Sequence, residues 1–474
     1  MTEIIGRANE IKALHHYMST PSSEFIAVYG RRRVGKTFLI REALDNKFSF
    51  HITGLANATM KQQLANFHAV LLKYLPRKSK LPMPINWFEA FQQLIAFLEK
   101  SKSKKKIVFI DELPWMDTLK SDCINALEHF WNHWASARKD VKLIVCGSAA
   151  SWMLKKIIRN KGGLHNRVTQ KLKLMPFTLG ETGQYLISKN LKWNRYQIIE
   201  AYMVMGGIPY YLNGIKKGKS AAQCIDEMCF DEAGLLYDEF SNLYASLFRH
   251  SDNHIAVVEA LSRKAMGLTR EQIVTASKLA NGGGLSKVLD ELEESGFIRK
   301  YLPFKNKLKH SVYQLTDFYT LFYFNFIRNK KTLIQNYWEK SIDSPRHRAW
   351  SGYAFEQVCQ AHVQQIKKAL GISGVQTSVV SWRSSNSENN TQVDLIIDRN
   401  DQVINLCEIK FSINQFTIDK KYAAALRNRI DVFKRESKTM KSVFLTMITT
   451  YGIKENAWSG GLVQNDLTMD CLFD

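Results

Sequence analysis

The sequence has few cysteines and no long hydrophobic run. Its 7 cysteines form no C-x-x-C pair and show no zinc-ligand spacing, which favours free thiols in a reducing compartment over a disulfide framework. No apolar run approaches the roughly 20 residues that a membrane-spanning helix needs. The first ten residues, MTEIIGRANE, lack the character of a signal peptide. These absences predict a cytoplasmic protein with no membrane partner.

Acidic residues are scarce relative to basic ones. The chain has 66 lysines and arginines against 44 aspartates and glutamates, a formal net charge of +22. Such an excess favours a polyanionic partner such as nucleic acid, with scattered surface lysines as the alternative explanation. At 474 residues the chain is too long for one core, so roughly two to four domains are expected.

A glycine-rich octet follows the apolar run FIAVY and leads directly into a helical pattern. It fits G-x-x-x-x-G-K-[ST], whose glycines let backbone N–H groups turn toward phosphate oxygens. Lys36 is placed to reach the β- and γ-phosphates, and the Thr37 hydroxyl to bind Mg²⁺. The strand before and the helix after it favour a nucleotide site over a chance turn. The residues expected to contact ATP are Gly30, Arg31, Arg32, Arg33, Val34, Gly35, Lys36 and Thr37.

Two apolar runs later in the sequence each end in polar residues. The run IVFIDE predicts a buried strand with Asp111 and Glu112 at its carboxyl end. Asp111 is expected to hold Mg²⁺ through water, and Glu112 to polarise the water that attacks the γ-phosphate. An ordinary acidic turn is the alternative. The run KLIVCGS ends at Ser148, which would face the γ-phosphate from the neighbouring position. The alternation of strands and helices predicts an α/β fold with a parallel sheet.

Five motifs together resemble the archaeal-type branch of the AAA+/STAND ATPases: GRANE, GRRRVGKT, FIDELPW, CGSAAS and GGIPYYL. The resemblance covers roughly residues 1–240 and implies that Ser148 senses phosphate at the end of the fourth core strand. It also implies a helical lid in which Pro209 approaches the nucleotide. Arg167 stands where the family often has an arginine after a glycine, although Asn166 precedes it here. For Arg167, both a catalytic finger or sensor role and a plain surface role stay open.

The middle of the chain predicts a winged helix. Three helical patterns between residues 254 and 296 precede two strand patterns around FKNKLK. The third helix carries Lys287 and four acids, which are Asp290, Glu291, Glu293 and Glu294. Because a helix that enters the major groove is normally basic, a scaffold or regulatory role is favoured over base reading. The aromatic residues that follow, in 317–338, predict a packing face.

A second set of candidate residues lies near the C-terminus. Glu356 is carried by a predicted helix, Asp394 by a strand, and Glu408 and Lys410 by the next strand. Residues two apart on a strand share a face, and the hairpin brings Asp394 alongside that pair. Two carboxylates and a lysine suit Mg²⁺ or Mn²⁺, with Lys410 steadying or deprotonating the nucleophile. A solvated strand face is the usual alternative for an isolated E-x-K.

The order of these elements resembles that of the PD-(D/E)XK nucleases. Residues 350–474 resemble the nuclease-like domain, long called a domain of unknown function, that accompanies this ATPase type. Val393 replaces the proline of the family name. The resemblance implies that Asp394 and Glu408 are metal ligands, that Lys410 is catalytic and that Glu356 is an accessory acid.

The sequence as a whole predicts an α/β multidomain protein. The expected parts are a P-loop AAA+/STAND-like ATPase core (1–178), a helical lid (179–244), a winged helix (245–330), a linker (331–349) and a restriction-endonuclease-like α/β domain (350–474). The predicted function is ATP hydrolysis that regulates a metal-dependent nuclease acting on DNA. The alternative is a STAND-type signalling or scaffold ATPase whose terminal domain binds nucleic acid or another partner without cutting. Assembly into a homo-oligomer is left open.

Overall fold

The structure is a computed structural model that describes residues 4–76, 80–248, 250–302, 304, 311–328, 336–384 and 391–474. The chain forms two compact units, Met1–Pro176 and Phe177–Asp474. Among the described residues, no helix is both long enough and apolar enough to cross a membrane.

The first unit contains a five-stranded parallel sheet. Its strands are β1 (Glu24–Tyr29), β2 (Phe50–Thr53), β3 (Lys106–Asp111), β4 (Val141–Gly147) and β5 (Gln170–Lys173). Their order across the sheet is β2-β3-β4-β1-β5, and every pair is parallel. Strand β4 therefore lies between β1, which leads into the glycine-rich octet, and β3, which ends at Asp111.

Helices precede and connect these strands. They are α1 (Ala8–Ser19), α2 (Lys36–Ala43), α3 (Met60–Tyr74), α4 (Trp87–Lys100), α5 (Leu113–Met116), α6 (Cys123–His129) and α7 (Ala150–Trp152). Helices α6 and α7 continue as π-helical segments, Phe130–Ala135 and Met153–Ile158. Hydrophobic cores lie on both faces of the sheet, because Phe25 and Ala27 of β1 join one cluster while Ile26 and Val28 join another.

The α/β fold with a parallel sheet, predicted from the alternating pattern, is confirmed. The helical pattern after the glycine-rich octet predicts a helix that starts at Thr37, and in the structure that helix, α2, starts one residue earlier, at Lys36. The sequence pattern of residues 124–138 predicts one long helix, which in the structure starts at Cys123 and becomes π-helical at Phe130.

The second unit begins with helices α8 (Leu179–Ser188), α9 (Arg195–Met205), α10 (Pro209–Leu212), α11 (Ala221–Cys229) and α12 (Glu239–Leu247). Two of them start at capping boxes, formed by Thr178 with Glu181 and by Ser220 with Gln223. The helical character predicted for this region is confirmed, whereas its role as a lid stays a prediction.

Three helices and a small antiparallel sheet follow. They are α13 (Ser251–Ser262), β6 (Leu268–Thr269), α14 (Arg270–Ser277), α15 (Gly283–Glu294), β7 (Ile298–Tyr301) and β8 (Val312–Leu315), with sheet order β6-β8-β7. The segment from Thr269 to Gln272 predicts a capping box at the start of α14, and the structure contains it. On α15, Glu291 contacts buried His254 at 2.9 Å, so this acid takes part in packing. Of FKNKLK only Phe304 is described, and the winged-helix assignment stays a prediction.

The aromatic stretch forms α16 (Phe318–Phe322), a π-helical segment (Tyr323–Ile327) and, after the undescribed residues 329–335, α17 (Tyr337–Ser341). The rings of Phe322 and Phe326 each lie 5.0 Å from that of Trp338, and the Trp350 ring lies 5.3 Å from it. The predicted packing face is confirmed for the described residues.

The last part contains α18 (Pro345–Ala361), α19 (Val363–Ala369), β9 (Thr377–Arg383), β10 (Gln392–Arg399), β11 (Val403–Lys410), β12 (Phe416–Thr417), α20 (Lys420–Ser437), β13 (Ser442–Thr449), β14 (Ile453–Lys454), β15 (Asn465–Thr468) and a 3₁₀ helix (Met469–Phe473). The main sheet has the order β15-β13-β11-β10-β9, while β12 pairs with β14. Strands β9, β10 and β11 are antiparallel neighbours, and β13 is parallel to both β11 and β15.

The predicted order of helix, strand, Asp-bearing strand, E-x-K strand and helix is present here. The polar segment SSNSENN predicts a turn between β9 and β10, but its residues 385–390 lie outside the part of the chain that the structure describes. The described part of the expected linker contains α17 and the start of α18. The residue ranges of the five expected parts stay predictions.

Candidate functional site

The glycine-rich octet forms a tight turn between β1 and α2. Gly30 has a φ of 145°, and a Cβ atom there would lie 2.2 Å from the carbonyl oxygen of Leu174. Gly35 has a φ of 88° and immediately precedes α2. Both positions favour glycine, the first through close backbone approach and the second through its left-handed conformation. The loop therefore needs the two glycines that define the sequence motif.

Lys36 is buried at the start of α2 and points back into the loop. Its Nζ donates to the carbonyl oxygens of Gly30 at 3.0 Å and Arg31 at 2.8 Å. Burial lowers the pKa of Lys36, and the charges of Glu112 and Asp111 act in the opposite direction. The ammonium group is thus held among weak carbonyl acceptors, close to two carboxylates.

Thr37 and Asp111 meet across two elements. The Thr37 hydroxyl donates to Asp111 Oδ2 at 2.8 Å, and the other carboxylate oxygen accepts from the Glu112 N–H at 3.0 Å. A hydroxyl and a carboxylate that converge beside a phosphate loop supply the hard oxygen ligands that Mg²⁺ prefers. These two residues therefore fit the metal that accompanies ATP.

Glu112 and Ser148 follow β3 and β4, which are adjacent in the sheet. Glu112 has a φ of 47°, a left-handed conformation that turns the chain immediately after the strand. Its carboxylate accepts from both the hydroxyl and the backbone N–H of Ser148, the latter at 3.1 Å. The structure thus places Asp111, Glu112 and Ser148 at the same edge of the sheet, as expected for parallel strands. Their catalytic and sensing roles stay predictions.

The remaining loop residues are held largely inside the fold. Arg31 and Val34 are buried, while Arg32 and Arg33 are partly exposed. The Val34 carbonyl accepts from the guanidinium of Arg7 at 3.3 Å, and Arg7 itself is 4% exposed. Sequence reasoning did not single out Arg7 as a support of the loop. Arg7 belongs to the GRANE motif, which indicates the family resemblance but does not show that this arginine contacts the loop.

The structure shows where the other two predicted ATP-site residues, Arg167 and Pro209, lie, but it assigns no role to either. Arg167 is exposed on the turn before β5 and follows Asn166, whose φ of 55° is left-handed. Asparagine tolerates this conformation better than most residues, which explains how it stands at a position where a glycine was expected. Pro209 begins α10 in the second unit, after two glycines with left-handed φ values. Their proposed contacts with nucleotide stay predictions.

The C-terminal acids are brought close together by β10, β11 and α18. Leu395 of β10 pairs with Cys407 of β11. Because the two strands are antiparallel, the next pair in the register places Asp394 opposite Glu408. Burial raises the pKa of Asp394, and the neighbouring Glu408 charge raises it further. Burial, followed by the charge of Asp394, raises the pKa of Glu356 to about 8. The three acids therefore share one poorly hydrated environment.

Glu408 is 8% exposed, and both of its carboxylate oxygens are occupied. Oε1 accepts from the Tyr422 hydroxyl and from Lys410 Nζ, the latter at 3.0 Å, while Oε2 accepts from Arg429. Burial acts to raise the pKa of Glu408, but the charges of Lys410 and Arg429 bring it below its ordinary value.

This arrangement does not fit a divalent metal. Within the part of the chain that the structure describes, no three His, Cys, Asp or Glu side chains are grouped to hold an ion. Unlike Asp111, whose oxygens accept only from neutral donors, the expected ligand Glu408 has a cationic group at each oxygen, Lys410 at Oε1 and Arg429 at Oε2, and these repel a metal ion. Sequence reasoning missed Tyr422 and Arg429, since a helical pattern alone does not show which side chains turn toward a distant strand.

Comparisons with known proteins give a family match in the first part of the chain and similarity to other proteins over most of it. Residues 4–215 match the model of an ATPase domain predominantly from Archaea. An uncharacterized protein of Methanocaldococcus jannaschii is 24% identical over 412 residues, which cover 86% of this chain and 87% of that protein.

Two solved structures are also similar to this chain. The Walker-type ATPase of Pyrococcus abyssi is 18% identical with a TM-score of 0.48, and the match covers 68% of this chain and 96% of that one. The ORC2 protein of Aeropyrum pernix is 15% identical with a TM-score of 0.40, covering 66% and 90%. Residues 4–215, which contain the phosphate loop, are thus similar to an ATPase domain that is found predominantly in Archaea.

Proposed function

We propose that the chain is an ATP-hydrolysing switch whose general base is Glu112. The observation that carries this proposal is the pair of hydrogen bonds from Ser148 to Glu112 at the edge of the sheet. Lys36 would bind the β- and γ-phosphates, because phosphate oxygens are stronger acceptors than its present carbonyl partners. Thr37 and Asp111 would hold Mg²⁺, which neutralises phosphate charge when bound.

The Ser148 hydroxyl is suited to link ATP binding to the release of Glu112. A hydroxyl has one proton, so it donates either to Glu112 or to a phosphate oxygen, but not to both. When Ser148 turns toward a γ-phosphate, Glu112 Oε1 loses that donor and becomes able to accept a proton from water. The base is therefore held back until a triphosphate is in place.

The substitution Glu112→Gln tests this role. The amide keeps the size of the side chain but loses its basicity, so ATP binding should persist while turnover falls by about 10²- to 10³-fold. Binding is measured by calorimetry and turnover by phosphate release. The matched control is Glu99→Gln, at an exposed acid of α4 that hydrogen-bonds to Trp134. Unchanged turnover in Glu112→Gln, or loss of ATP binding, would exclude the role given to Glu112.

We also propose that the second unit binds nucleic acid, with DNA as the expected form. The net charge of +22 favours a polyanion. Helix α20 presents five exposed basic residues against one exposed acid, Asp431; they are Lys420, Lys421, Arg427, Lys434 and Arg435. A helix of 18 residues is about 27 Å long, enough to follow several phosphates.

A charge-matched pair of variants tests this surface. Replacing Lys420, Lys421 and Arg427 by glutamine should weaken DNA binding and reduce the slope of log K against log salt by about 3. The control replaces Lys100, Lys102 and Lys104, three exposed lysines of the first unit, by glutamine. Equal affinity losses in both triple variants would assign the effect to net charge rather than to α20.

We propose that the second unit binds DNA without cleaving it. The Glu408 carboxylate already accepts from three hydrogen-bond donors and is therefore not free to bind a catalytic metal. The nuclease expected from the sequence is the competing prediction, supported by the proximity of Glu356, Asp394, Glu408 and Lys410. Plasmid and branched DNA are incubated with Mg²⁺ or Mn²⁺, with and without ATP. The non-cleaving proposal expects no products. Cleavage that Lys410→Ala abolishes would instead establish the nuclease.

A further inference from the structure

Glu408 lies at the centre of the C-terminal sheet, on a strand flanked by β10 and β13. At 8% exposure it has little access to water, so its charge must be balanced by neighbouring groups. Lys410 and Arg429 both provide positive charge at this carboxylate, and the Tyr422 hydroxyl adds a third donor. The carboxylate therefore has its charge compensated from within the protein.

Two of these donors come from one face of α20. Tyr422 and Arg429 are about two helical turns apart, so both can face β11 at the same time. They approach different oxygens of Glu408, with Tyr422 at Oε1 and Arg429 at Oε2. A divalent ion would require at least one of these oxygens as a ligand. The helix therefore occupies the side of the carboxylate that a metal would need.

The charge count leads to the same conclusion. Lys410 and Arg429 both act on Asp394 and Glu408, and Lys410 also acts on Glu356, so two positive charges stand against three acids and leave at most one excess negative charge. A divalent ion would reverse the sign of that balance in a buried place, where uncompensated charge is costly.

We propose that Arg429 takes the place of the metal ion in this cluster, so that the wild-type C-terminal site binds no divalent cation. The cluster is then an ion-pair centre that joins α20 to the sheet. Removing the guanidinium uncovers Glu408 Oε2 next to Asp394 and creates a metal site that the wild-type chain lacks. This inference does not depend on nucleic-acid binding, because metal binding is measured without nucleic acid.

The test is a Mn²⁺ titration of the full chain without nucleotide or DNA, with free Mn²⁺ measured by electron paramagnetic resonance. Wild-type protein and Asp394→Asn should bind Mn²⁺ equally, since any weak site at Thr37 and Asp111 is common to both. Arg429→Met keeps an apolar stem of similar length and should gain one Mn²⁺ per chain. Adding Asp394→Asn to that variant should remove the gain.

The matched control is Arg383→Met, at an exposed arginine of β9 in the same sheet, which should bind Mn²⁺ as wild type does. Wild-type binding that Asp394→Asn abolishes would overturn the proposal. So would a folded Arg429→Met protein, judged by circular dichroism, that gains no site. If Arg429→Met does not fold, the comparison of wild type with Asp394→Asn still decides whether the wild-type cluster holds metal.

Discussion

Ser148 donates two hydrogen bonds to the carboxylate of Glu112, one from its hydroxyl and one from its backbone N–H. The two residues are 36 positions apart in sequence and meet because β3 and β4 are adjacent parallel strands. The position of β4 between β3 and β1 places Ser148 between the acids and the phosphate loop. The proposed mechanism needs a serine that contacts both the candidate base and a bound γ-phosphate, and Ser148 makes the first of these contacts.

Ser148→Ala should reduce ATP turnover by about 10²-fold, the usual effect of losing one donor that acts on developing charge. The affinity for ATP should change much less, since Lys36 and the loop N–H groups supply most phosphate contacts. Steady-state phosphate release separates kcat from KM. The control is Ser151→Ala, a nearby buried serine in α7. Equal kcat values for the two variants would remove Ser148 from the mechanism.

Lys36→Ala should lower the affinity for ATP by about 10- to 100-fold, the expected effect of losing a charged hydrogen-bond donor to phosphate. Nζ lies within 3.0 Å of two loop carbonyls, so the charge is already directed into the loop. Calorimetry with ATP measures the loss. Lys47→Ala removes an exposed lysine that pairs with Asp45 and should bind ATP normally. Similar affinities in both variants would contradict the role of Lys36.

Much of the ATPase site could be predicted because its signals are local. The spacing of Gly30, Gly35 and Lys36 reflects backbone geometry within eight residues, and Asp111 and Ser148 each end an apolar run. The rule that parallel strands share a carboxyl edge then brings separate segments together. The hydrogen bond between Thr37 and Asp111 is a consequence of that rule.

The C-terminal cluster could be predicted only in part, because its decisive contacts connect distant segments. Asp394, Glu408 and Lys410 follow from strand periodicity and a hairpin. Arg429 and Tyr422 lie on a helix whose orientation depends on packing against the sheet. Arg7 could not be predicted for the same reason. It precedes the first helix and donates a hydrogen bond to the carbonyl of Val34 in the phosphate loop, 27 residues later in the sequence.

Gly207→Ala should destabilise the second unit more than Gly218→Ala does. Both glycines have left-handed φ values, 67° and 80°, so each alanine carries strain of about 1 kcal/mol. Only the Cβ at residue 207 would also lie 2.2 Å from the Phe177 carbonyl oxygen, whereas nothing lies within 4 Å at residue 218. The backbone clash should add about 1 to 3 kcal/mol. Thermal melts of both variants measure the difference, and equal melting temperatures would contradict the close approach.

Glu200→Gln should change how stability depends on pH. Glu200 lies on α9 near Tyr196 and Tyr451, and burial raises its pKa to about 7 from an ordinary value of 4.5. The folded protein therefore holds this proton more tightly than the unfolded chain, so stability falls as pH rises from about 4.5 to about 7. The expected loss is on the order of 3 kcal/mol before solvent screening.

Glutamine keeps the shape of Glu200 and cannot ionise. The variant should melt at the same temperature as wild type near pH 4.5 and at a higher temperature at pH 8, because the buried charge is absent. Thermal melts at half-unit steps from pH 4.5 to pH 8 measure the difference between the two curves, which cancels the titration of all other groups. Glu99→Gln, at an exposed acid, should follow wild type throughout. If the Glu200→Gln curve stays parallel to wild type across this range, the carboxyl group is ionised in the folded protein at no cost, and its burial does not control the pH dependence.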